Sequence, residues 1–232
     1  MVKLQDTSLC AIVRDEVMNP AGGIIDFIAC TVPYVDNAVI VDTGSVDGTR
    51  EILEELESKY PNLRVFDKKW EGYANGRNFS IDKADTANIL VLDADERIVK
   101  EDFTKLKRDL ENSQVSSYEL PIVYIGWDGI KFKGGGHNPR LFKKGLGTFK
   151  SAIGRPWEYL RSKEGRRIYS QTYSEVTIKH FLSTETGQHQ KMVYWYDSGA
   201  WEKGLSPTQV RGCSKWKQLN PQRPNYPGLI QL

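Results

Sequence analysis

Short apolar runs alternate with amphipathic helical patterns over the first hundred residues, and this alternation is what most constrains the fold. Apolar strands separated by helices are typical of a parallel sheet that carries helices on both faces. The runs predict strands at 8–13, 38–42, 63–66 and 88–93, and helices at 24–32, 49–60 and 73–84. The sequence therefore predicts an α/β domain.

The pattern changes after about residue 110. Segments typical of strands occur at 118–125 and 169–181, and a segment rich in glycine and lysine lies at 126–147. Aromatic residues at helical spacing predict a helix at 188–203. We therefore expect a smaller mixed region to follow the parallel sheet.

Charge and proline separate the end of the chain from the rest. The net charge is +2, but residues 204–232 hold four basic side chains, no acid and four prolines, so residues 1–203 carry −2. This balance argues against a nucleic-acid binder that relies on one broadly basic domain. The sequence predicts a first half at 1–110, a second half of the same domain at 111–203, and a basic, proline-rich tail at 204–232.

The three cysteines, Cys10, Cys30 and Cys213, are odd in number and widely spaced, so they cannot all pair within one chain. This usage favours a reducing compartment. The N-terminus carries Asp6 where a signal peptide needs an apolar run, and the longest apolar runs are far shorter than a membrane span. We expect a cytoplasmic protein without a transmembrane segment.

Acidic residues follow three of the predicted strands. Asp15 follows the first strand, Asp42 ends the second, and Asp93 and Asp95 come at the end of the fourth. Because ligands of parallel α/β sheets bind beyond the carboxyl ends of the strands, these acids are expected to meet at one rim. Two carboxylates spaced i, i+2 suit Mg²⁺ or Mn²⁺, which bridge to phosphate oxygens.

Three segments in this order resemble glycosyltransferase family 2, of the GT-A fold. Residues 41–49 read Val-Asp-Thr-Gly-Ser-Val-Asp-Gly-Thr, residues 76–78 read Gly-Arg-Asn, and residues 91–96 read Val-Leu-Asp-Ala-Asp-Glu. Residues 11–16, Ala-Ile-Val-Arg-Asp-Glu, are similar to the first strand of that family. Residues 139–143, 157–158 and 178–180 resemble the acceptor half of the bacterial lipopolysaccharide-core type, with Trp157 where that subgroup has histidine.

The resemblance implies a nucleotide-sugar donor, most simply a UDP-sugar, and a set of donor-binding residues. Asp42 would read a uracil or ribose edge, Gly44 would permit a tight turn, and Arg77 would face the diphosphate. The alternative for Arg77 is a surface ion pair with Asp82 or Glu71. The full donor-binding set implied is Asp15, Asp42, Gly44, Ser45, Arg77, Asp93 and Ala94.

The resemblance also implies a divalent cation, Mn²⁺ or Mg²⁺. Asp95 is the first metal ligand implied, Asp93 the second, and His180 resembles the distal ligand that some GT-A enzymes add. The alternative for His180 is a histidine packed in a strand, since a lone histidine is more often structural.

The chemistry implied is sugar transfer with inversion at the anomeric carbon, in which a carboxylate deprotonates the acceptor hydroxyl. Glu158 is the base implied by the motif and Asp128 is a second candidate; Glu158 could instead pair with Arg155 or Arg161. The acceptor is a glycan, a lipid-linked sugar or another hydroxyl compound. The basic stretch 131–144 could face an acidic acceptor or be a solvated loop.

Two other functions stay open at this point. A nucleotidyltransferase would use a similar sheet, but it usually has a Gly-rich, Lys- or Arg-containing loop after the first strand, and residues 14–23 carry two acids and no lysine. A catalytically silent nucleotide-sugar-binding module is the second, and the intact Asp93–Asp95 pair argues against it. A dinucleotide-binding domain is disfavoured because no GxGxxG follows the first strand.

Overall fold

A computed structural model describes residues 2–17, 23–112, 115–125, 131–134, 138–151, 158–173 and 175–181. The helix predicted at 188–203 and the tail at 204–232 lie outside the described residues, as does Asp128.

Within the described residues the chain alternates strand and helix as far as residue 112 and then forms mostly strands. The helices are α1 (Gly23–Thr31), α2 (Thr49–Lys59), α3 (Tyr73–Asp82) and α4 (Lys100–Asn112), with a 3₁₀ turn at Val32–Tyr34. The strands are β1 (Leu4–Val13), β2 (Val35–Asp42), β3 (Leu63–Asp67), β4 (Asn88–Val91), β5 (Glu96–Arg97), β6 (Ser117–Glu119), β7 (Ile122–Ile125), β8 (Lys131–Gly134), β9 (Leu141–Lys143), β10 (Thr148–Ser151), β11 (Glu158–Arg161), β12 (Gln171–Thr172) and β13 (Ile178–Phe181).

The four strands predicted in the first hundred residues form a continuous parallel block in a seven-stranded sheet. Its order is β12-β6-β9-β4-β1-β2-β3, and β1 pairs in parallel with both β2 and β4. The expectation of a mostly parallel α/β sheet is confirmed. Because β1, β2 and β4 run in the same direction, their carboxyl ends lie at one edge of the sheet.

Side chains of β1 alternate between two apolar layers, as the period of a strand requires. Leu9 and Ala11 pack in a core that includes Phe27 of α1 and Leu53 of α2. Cys10 and its neighbours on the opposite face pack with side chains of α3 and with the β10–β11 hairpin. The sheet is therefore covered by helices on both faces, as the sequence predicted.

The strand-like segment at 118–125 forms two strands that belong to different sheets. β6 ends at Glu119 and stays in the large sheet, whereas β7 begins at Ile122 in a smaller mixed sheet of order β5-β13-β7-β8. Pro121 lies between them, and because proline has no N–H it cannot continue a ladder. The smaller sheet carries β13, and with it His180, to the edge where the parallel strands end.

The β10–β11 hairpin depends on a glycine at close approach. A Cβ atom at Gly147 would lie 2.1 Å from the carbonyl oxygen of Arg161 and 2.7 Å from Cδ1 of Ile168. We therefore expect Gly147→Ala to lower the free energy of unfolding by about 1–3 kcal/mol, the usual effect of overpacking. Thr148→Ser at the exposed neighbouring position is the control, and equal denaturant midpoints for the two variants would contradict the prediction.

None of the helices formed by the described residues is both long enough and apolar enough to cross a membrane.

Candidate functional site

A cavity of about 410 Å³ opens beside the carboxyl ends of β1, β2 and β4. Val13 at the end of β1, Thr43 after β2 and Asp93 after β4 all line it. The prediction that three strand ends meet at one rim is confirmed. Six of the predicted site residues line this cavity, namely Arg77, Asp93, Ala94, Asp95, Glu158 and His180.

The other predicted donor-binding residues form the loop beside the cavity. Oδ1 of Asp42 accepts hydrogen bonds from the backbone N–H groups of Gly44 and Ser45, at 2.7 and 2.8 Å. Gly44 has a φ of +106°, which the turn requires and which side chains disfavour. Asp15 accepts from the N–H of Val46 at 2.7 Å and so joins the loops after β1 and β2.

Asp42 keeps one carboxylate oxygen available. Oδ2 of Asp42 is buried and has no hydrogen-bond partner among the described residues. Because buried polar atoms are nearly always paired, this oxygen is a candidate for a ligand contact.

Arg77 lies at the centre of the site and is buried. Its Nη2 donates to Asp93, and its Nε donates to Oε1 of Glu158 at 3.1 Å. Nη1 is buried without a partner in the described part of the chain. A surface ion pair with Asp82 or Glu71 is therefore the wrong interpretation, since Glu71 pairs with Lys68 instead. Arg77 has one N–H edge left for an anion.

Arg77 and the carboxylates of Asp93 and Glu158 form a cluster of opposite charges. Burial opposes the charged form of Arg77, but Asp93 and Glu158 raise its pKa above the usual value. Desolvation likewise opposes ionisation of Asp93, but Arg77 and Arg140 hold the pKa of that carboxyl well below its usual range. Arg77 and Asp93 therefore stay ionised near neutral pH.

Asn78 anchors strand β10, which pairs with the strand that carries Glu158. Its side-chain amide donates to the carbonyl of Phe149 at 2.9 Å and accepts from the N–H of Phe149 at 2.8 Å. Phe149 belongs to β10, which pairs with β11, and Glu158 is the first residue of β11. Helix α3 thus carries Arg77 itself, and through Asn78 it also anchors the strand pair that carries Glu158.

Glu96 connects the acidic turn at residues 93–96, which follows β4, to the second half of the chain. Its side chain is fully buried; Oε2 accepts from the N–H of Asp93 at 2.9 Å, and Oε1 accepts from Nη2 of Arg140 at 2.7 Å. The same Oε1 lies 3.3 Å from Nδ1 of His180. Glu96 therefore holds the backbone of the turn and orients the imidazole ring.

Asp95 and His180 face each other in the cavity, with Oδ2 of Asp95 3.5 Å from Nε2 of His180. Burial raises the pKa of Asp95 to about 6, and the nearby Asp93 and Glu96 carboxylates add to this while His180 opposes it. Burial would lower the pKa of His180, but Asp95 and Glu96 together raise it to about 9. His180 thus lies in strand β13 and contacts two carboxylates, those of Asp95 and Glu96.

The donors present suit a divalent cation that is bound together with a diphosphate. Oδ1 of Asp95 is buried and lacks a hydrogen-bond partner within the described ranges, and His180 offers a nitrogen. No group of three or more acidic, histidine or cysteine side chains there is arranged to hold an ion alone. Mg²⁺-type sites commonly use one or two protein ligands and take further oxygens from substrate phosphates.

The sequence analysis assigned no role to Glu96 or Asn78. It included Arg140 only as a member of the segment 139–143. Each of them stands inside a quoted motif: Asn78 in Gly-Arg-Asn, Glu96 in Asp-Ala-Asp-Glu, and Arg140 in Pro-Arg-Leu-Phe. The signal was their place in these motifs, but the contact of Glu96 with Arg140 and His180 depends on tertiary structure.

A sequence model of the family described as glycosyl transferase family 2 matches residues 32–171, more than half of the chain. The chain belongs to glycosyltransferase family 2. Among curated relatives, this family 2 chain is 31% identical over 90 residues to the lipopolysaccharide core biosynthesis glycosyltransferase LpsC of Rhizobium meliloti, a match that covers 38% of the chain and 30% of LpsC. The curated relatives extend well beyond the chain, whose matches cover only 27% to 30% of their lengths.

Solved structures share the fold of this family 2 chain. S. aureus TarS 1–349 in complex with UDP-GlcNAc superposes with a TM-score of 0.57 at 15% identity, over 91% of the chain and 71% of TarS 1–349. The mannosyltransferase PcManGT from Pyrobaculum calidifontis, in complex with GDP-Man and Mn²⁺, gives a TM-score of 0.53 at 14% identity, over 94% of the chain and 71% of PcManGT. These likenesses establish a GT-A fold.

Proposed function

We propose that this family 2 chain is a metal-dependent, inverting glycosyltransferase that moves a sugar from a UDP-sugar to an acceptor hydroxyl. The observation that carries the proposal is the cavity at the strand ends, where Arg77 lies beside Asp93 and Asp95 and has a buried N–H group without a partner among the described residues. A guanidinium fork suits the diphosphate of a nucleotide sugar. The family membership supports this reading over a nucleotidyltransferase.

In this proposal the donor lies along the rim. Oδ2 of Asp42 accepts a hydrogen bond from the uracil or ribose, in the loop that Asp15, Gly44 and Ser45 shape. Asp93 and Ala94 lie along the ribose, and Arg77 donates to the diphosphate. UDP as the nucleotide is supported by the UDP-GlcNAc complex of TarS, although PcManGT is in complex with GDP-Man.

Asp95 and His180 would hold Mn²⁺ or Mg²⁺, with Asp93 next to them. When bound, the cation neutralises charge that develops on the leaving diphosphate. Among the chain's own residues, Glu96 holds Nδ1 of His180 so that Nε2 faces Asp95. His180 would have to be unprotonated at the nitrogen that faces Asp95 in order to act as a metal ligand.

Glu158 is proposed as the base. The acceptor oxygen forms a bond to the anomeric carbon, the bond from that carbon to the diphosphate oxygen breaks, and the proton goes to Glu158. Glu158 enters the cavity from the second half of the chain, on β11, whereas the donor-binding loop follows β2. We therefore retain the division into a nucleotide half at 1–110 and an acceptor half at 111–203 as part of the proposal.

Glu158→Gln is expected to leave nucleoside diphosphate binding intact and to lower sugar transfer by roughly 10²–10⁴-fold, the range for lost acid–base help. Glutamine retains an acceptor for Nε of Arg77 but no basicity. Glu164→Gln, which changes an exposed carboxylate in the turn that follows β11, is the matched control. If Glu158→Gln transfers at the wild-type rate while Asp128→Asn does not, the base is Asp128.

Glu96→Gln is expected to weaken Mn²⁺-supported nucleotide binding by about 10–100-fold, because partners that orient a metal ligand typically have this effect. Glutamine has nearly the same shape, but it lacks the negative charge and has only one acceptor oxygen. It therefore cannot accept hydrogen bonds from Arg140, His180 and the N–H of Asp93 as the carboxylate does. The measurement is a Mn²⁺ titration at fixed UDP. Glu119→Gln, at the far end of β6, is the control, and equal Mn²⁺ midpoints would contradict the assigned role.

The function itself is tested by a screen for donor hydrolysis across UDP-, GDP- and other nucleotide sugars with Mn²⁺. Release of the nucleoside diphosphate from one donor supports the proposal. Release of pyrophosphate from a nucleoside triphosphate and a sugar phosphate would show nucleotidyl transfer. Binding of nucleotide sugars without any turnover, also in the presence of hydroxyl acceptors, would show a silent binding module.

A cytoplasmic location is also part of the proposal. It is supported by the odd number of cysteines, two of which, Cys10 and Cys30, are free thiols in the structure. Burial raises the pKa of Cys10 to about 12, so this thiol is inert in the folded protein.

A further inference from the structure

A second cavity, of about 370 Å³, adjoins the first. Its wall is formed by Asn138, Tyr159, Leu160, Arg161 and Arg167. Asn138 also lines the first cavity, and its Nδ2 donates to the backbone carbonyl of Glu158 at 2.8 Å. The second cavity therefore begins where the proposed base is held.

Arg161 and Arg167 are direct cross-strand neighbours in this wall, since they form an antiparallel bridge. Residues opposite each other in such a bridge project to the same side, and like charges in this arrangement are destabilising. Within the described ranges neither guanidinium has a carboxylate partner: Arg161 lies over the ring of Tyr159 at 5.4 Å, and Arg167 lies over Tyr169 at 5.9 Å.

None of the described acids near this pair forms an ion pair with it. Glu164, the acid in the turn between the two arginines, accepts a hydrogen bond from Ser162 at 2.8 Å, and Glu158 is engaged by Arg77. Lys163 and Arg166 add positive charge to the same exposed turn. Two adjacent arginines that face a cavity without an acid are a favourable site for an anion, because guanidinium groups bind phosphate and carboxylate through paired hydrogen bonds.

The second cavity also offers apolar contact. Tyr159 lines the cavity and lies beside the guanidinium group of Arg161. Tyr169, which is 88% exposed, lies beside that of Arg167 next to the lining. Exposed aromatic rings next to charged groups are suited to a ligand with both a carbon skeleton and an anionic group. A small inorganic anion would make no use of the aromatic rings, so the ligand expected here is an organic anion.

We propose that this second cavity is an acceptor subsite, in which Arg161 and Arg167 bind a phosphate or carboxylate group on the acceptor. The inference rests on the proposed glycosyltransferase function and deepens it, because it assigns the acceptor to anionic compounds. The acceptor hydroxyl then reaches past Asn138 to Glu158. The two arginines of the subsite lie in residues 158–167, and Asn138 is the one described residue of the basic stretch 131–144 that lines it.

The test is a calorimetric titration of the full chain with glycerol 3-phosphate, with glucuronate and with uncharged glycerol. Saturating UDP and Mn²⁺ are present, so that the donor site cannot bind the added anion. We expect one or both anions to bind and glycerol not to bind; the tighter anion identifies the acceptor group as phosphate or carboxylate. Arg161→Gln/Arg167→Gln is expected to lose at least about tenfold in affinity, as hydrogen bonds to charged groups predict.

Arg166→Gln is the matched control, because Arg166 lies in the same turn and is exposed but does not line the cavity. We expect it to keep the wild-type affinity within about twofold, since surface charges contribute little. Equal binding of the anion by the Arg161/Arg167 variant, or no anion binding by a protein that binds UDP, would overturn the subsite. Failure to bind UDP at all would overturn the proposed function instead.

Discussion

Asp95→Asn is expected to lose about 10³-fold in sugar transfer, which is several kcal/mol of transition-state stabilisation, while the protein remains folded. Asparagine fills the same space but lacks the charge that holds a divalent cation. Oδ1 of Asp95 makes no hydrogen bond with the described residues, and the side chain is 38% exposed toward the cavity. The substitution removes the contact to His180, but it also relieves repulsion from Asp93 and Glu96.

Transfer is measured with the best donor from the hydrolysis screen, and folding by thermal denaturation. We expect the free energy of unfolding to stay within about 1 kcal/mol of the wild type, because a partly exposed ion pair contributes no more than that. Glu71→Gln, which breaks the exposed pair with Lys68, is the control and should transfer at the wild-type rate. Full transfer by Asp95→Asn would contradict the role of Asp95 in the reaction, and a large drop in its unfolding temperature would assign Asp95 a structural role.

Arg77→Met is expected to lower both stability and donor binding. Arg77 is 5% exposed and separates the carboxylates of Asp93 and Glu158, so its loss leaves two negative charges facing each other. Removing one partner of a buried ion pair typically costs 3–5 kcal/mol. Because Asp93 is about one-third exposed, we expect a smaller loss of about 2–3 kcal/mol in the free energy of unfolding.

Urea denaturation measures this loss, with Arg50→Met as the control, since Arg50 pairs with the exposed Asp67 at the surface. The control should change the free energy of unfolding by less than about 1 kcal/mol. Adding Glu158→Gln to Arg77→Met should recover part of the stability, because one uncompensated charge is removed. If Arg77→Met is as stable as Arg50→Met, the central position assigned to Arg77 is contradicted.

The parallel sheet could be predicted from the sequence because its strands are short, almost wholly apolar runs. The predicted positions of Asp93, Asp95 and Arg77 followed from motifs of adjacent residues. Helix α4 was not predicted, although Phe103, Leu106 and Leu110 have helical spacing, because charged side chains dominate that segment. Elements with a strong local pattern of apolar residues could be predicted from the sequence, and elements with a weak pattern, such as α4, could not.

The contacts that assemble the site could not be predicted from local patterns. Glu96 lies 84 residues from His180, and Arg77 lies 81 residues from Glu158. The sequence left open a pairing of Arg77 with a helix neighbour, and Asn78 gave no sign that it binds the backbone of Phe149. These pairings follow from how the β10–β11 hairpin and the smaller sheet pack against α3 and the acidic turn.

The central claim is that the cavity at the strand ends binds a nucleoside diphosphate through Asp95 and a divalent cation. The most direct test is a calorimetric titration of the chain with UDP and GDP, with Mn²⁺ and with excess EDTA, repeated for Asp95→Asn. We predict that one nucleotide binds in Mn²⁺ and that its affinity falls at least about tenfold in EDTA and in the variant. Equal affinity under all three conditions, or no binding of any nucleoside diphosphate by the wild type, would contradict the claim.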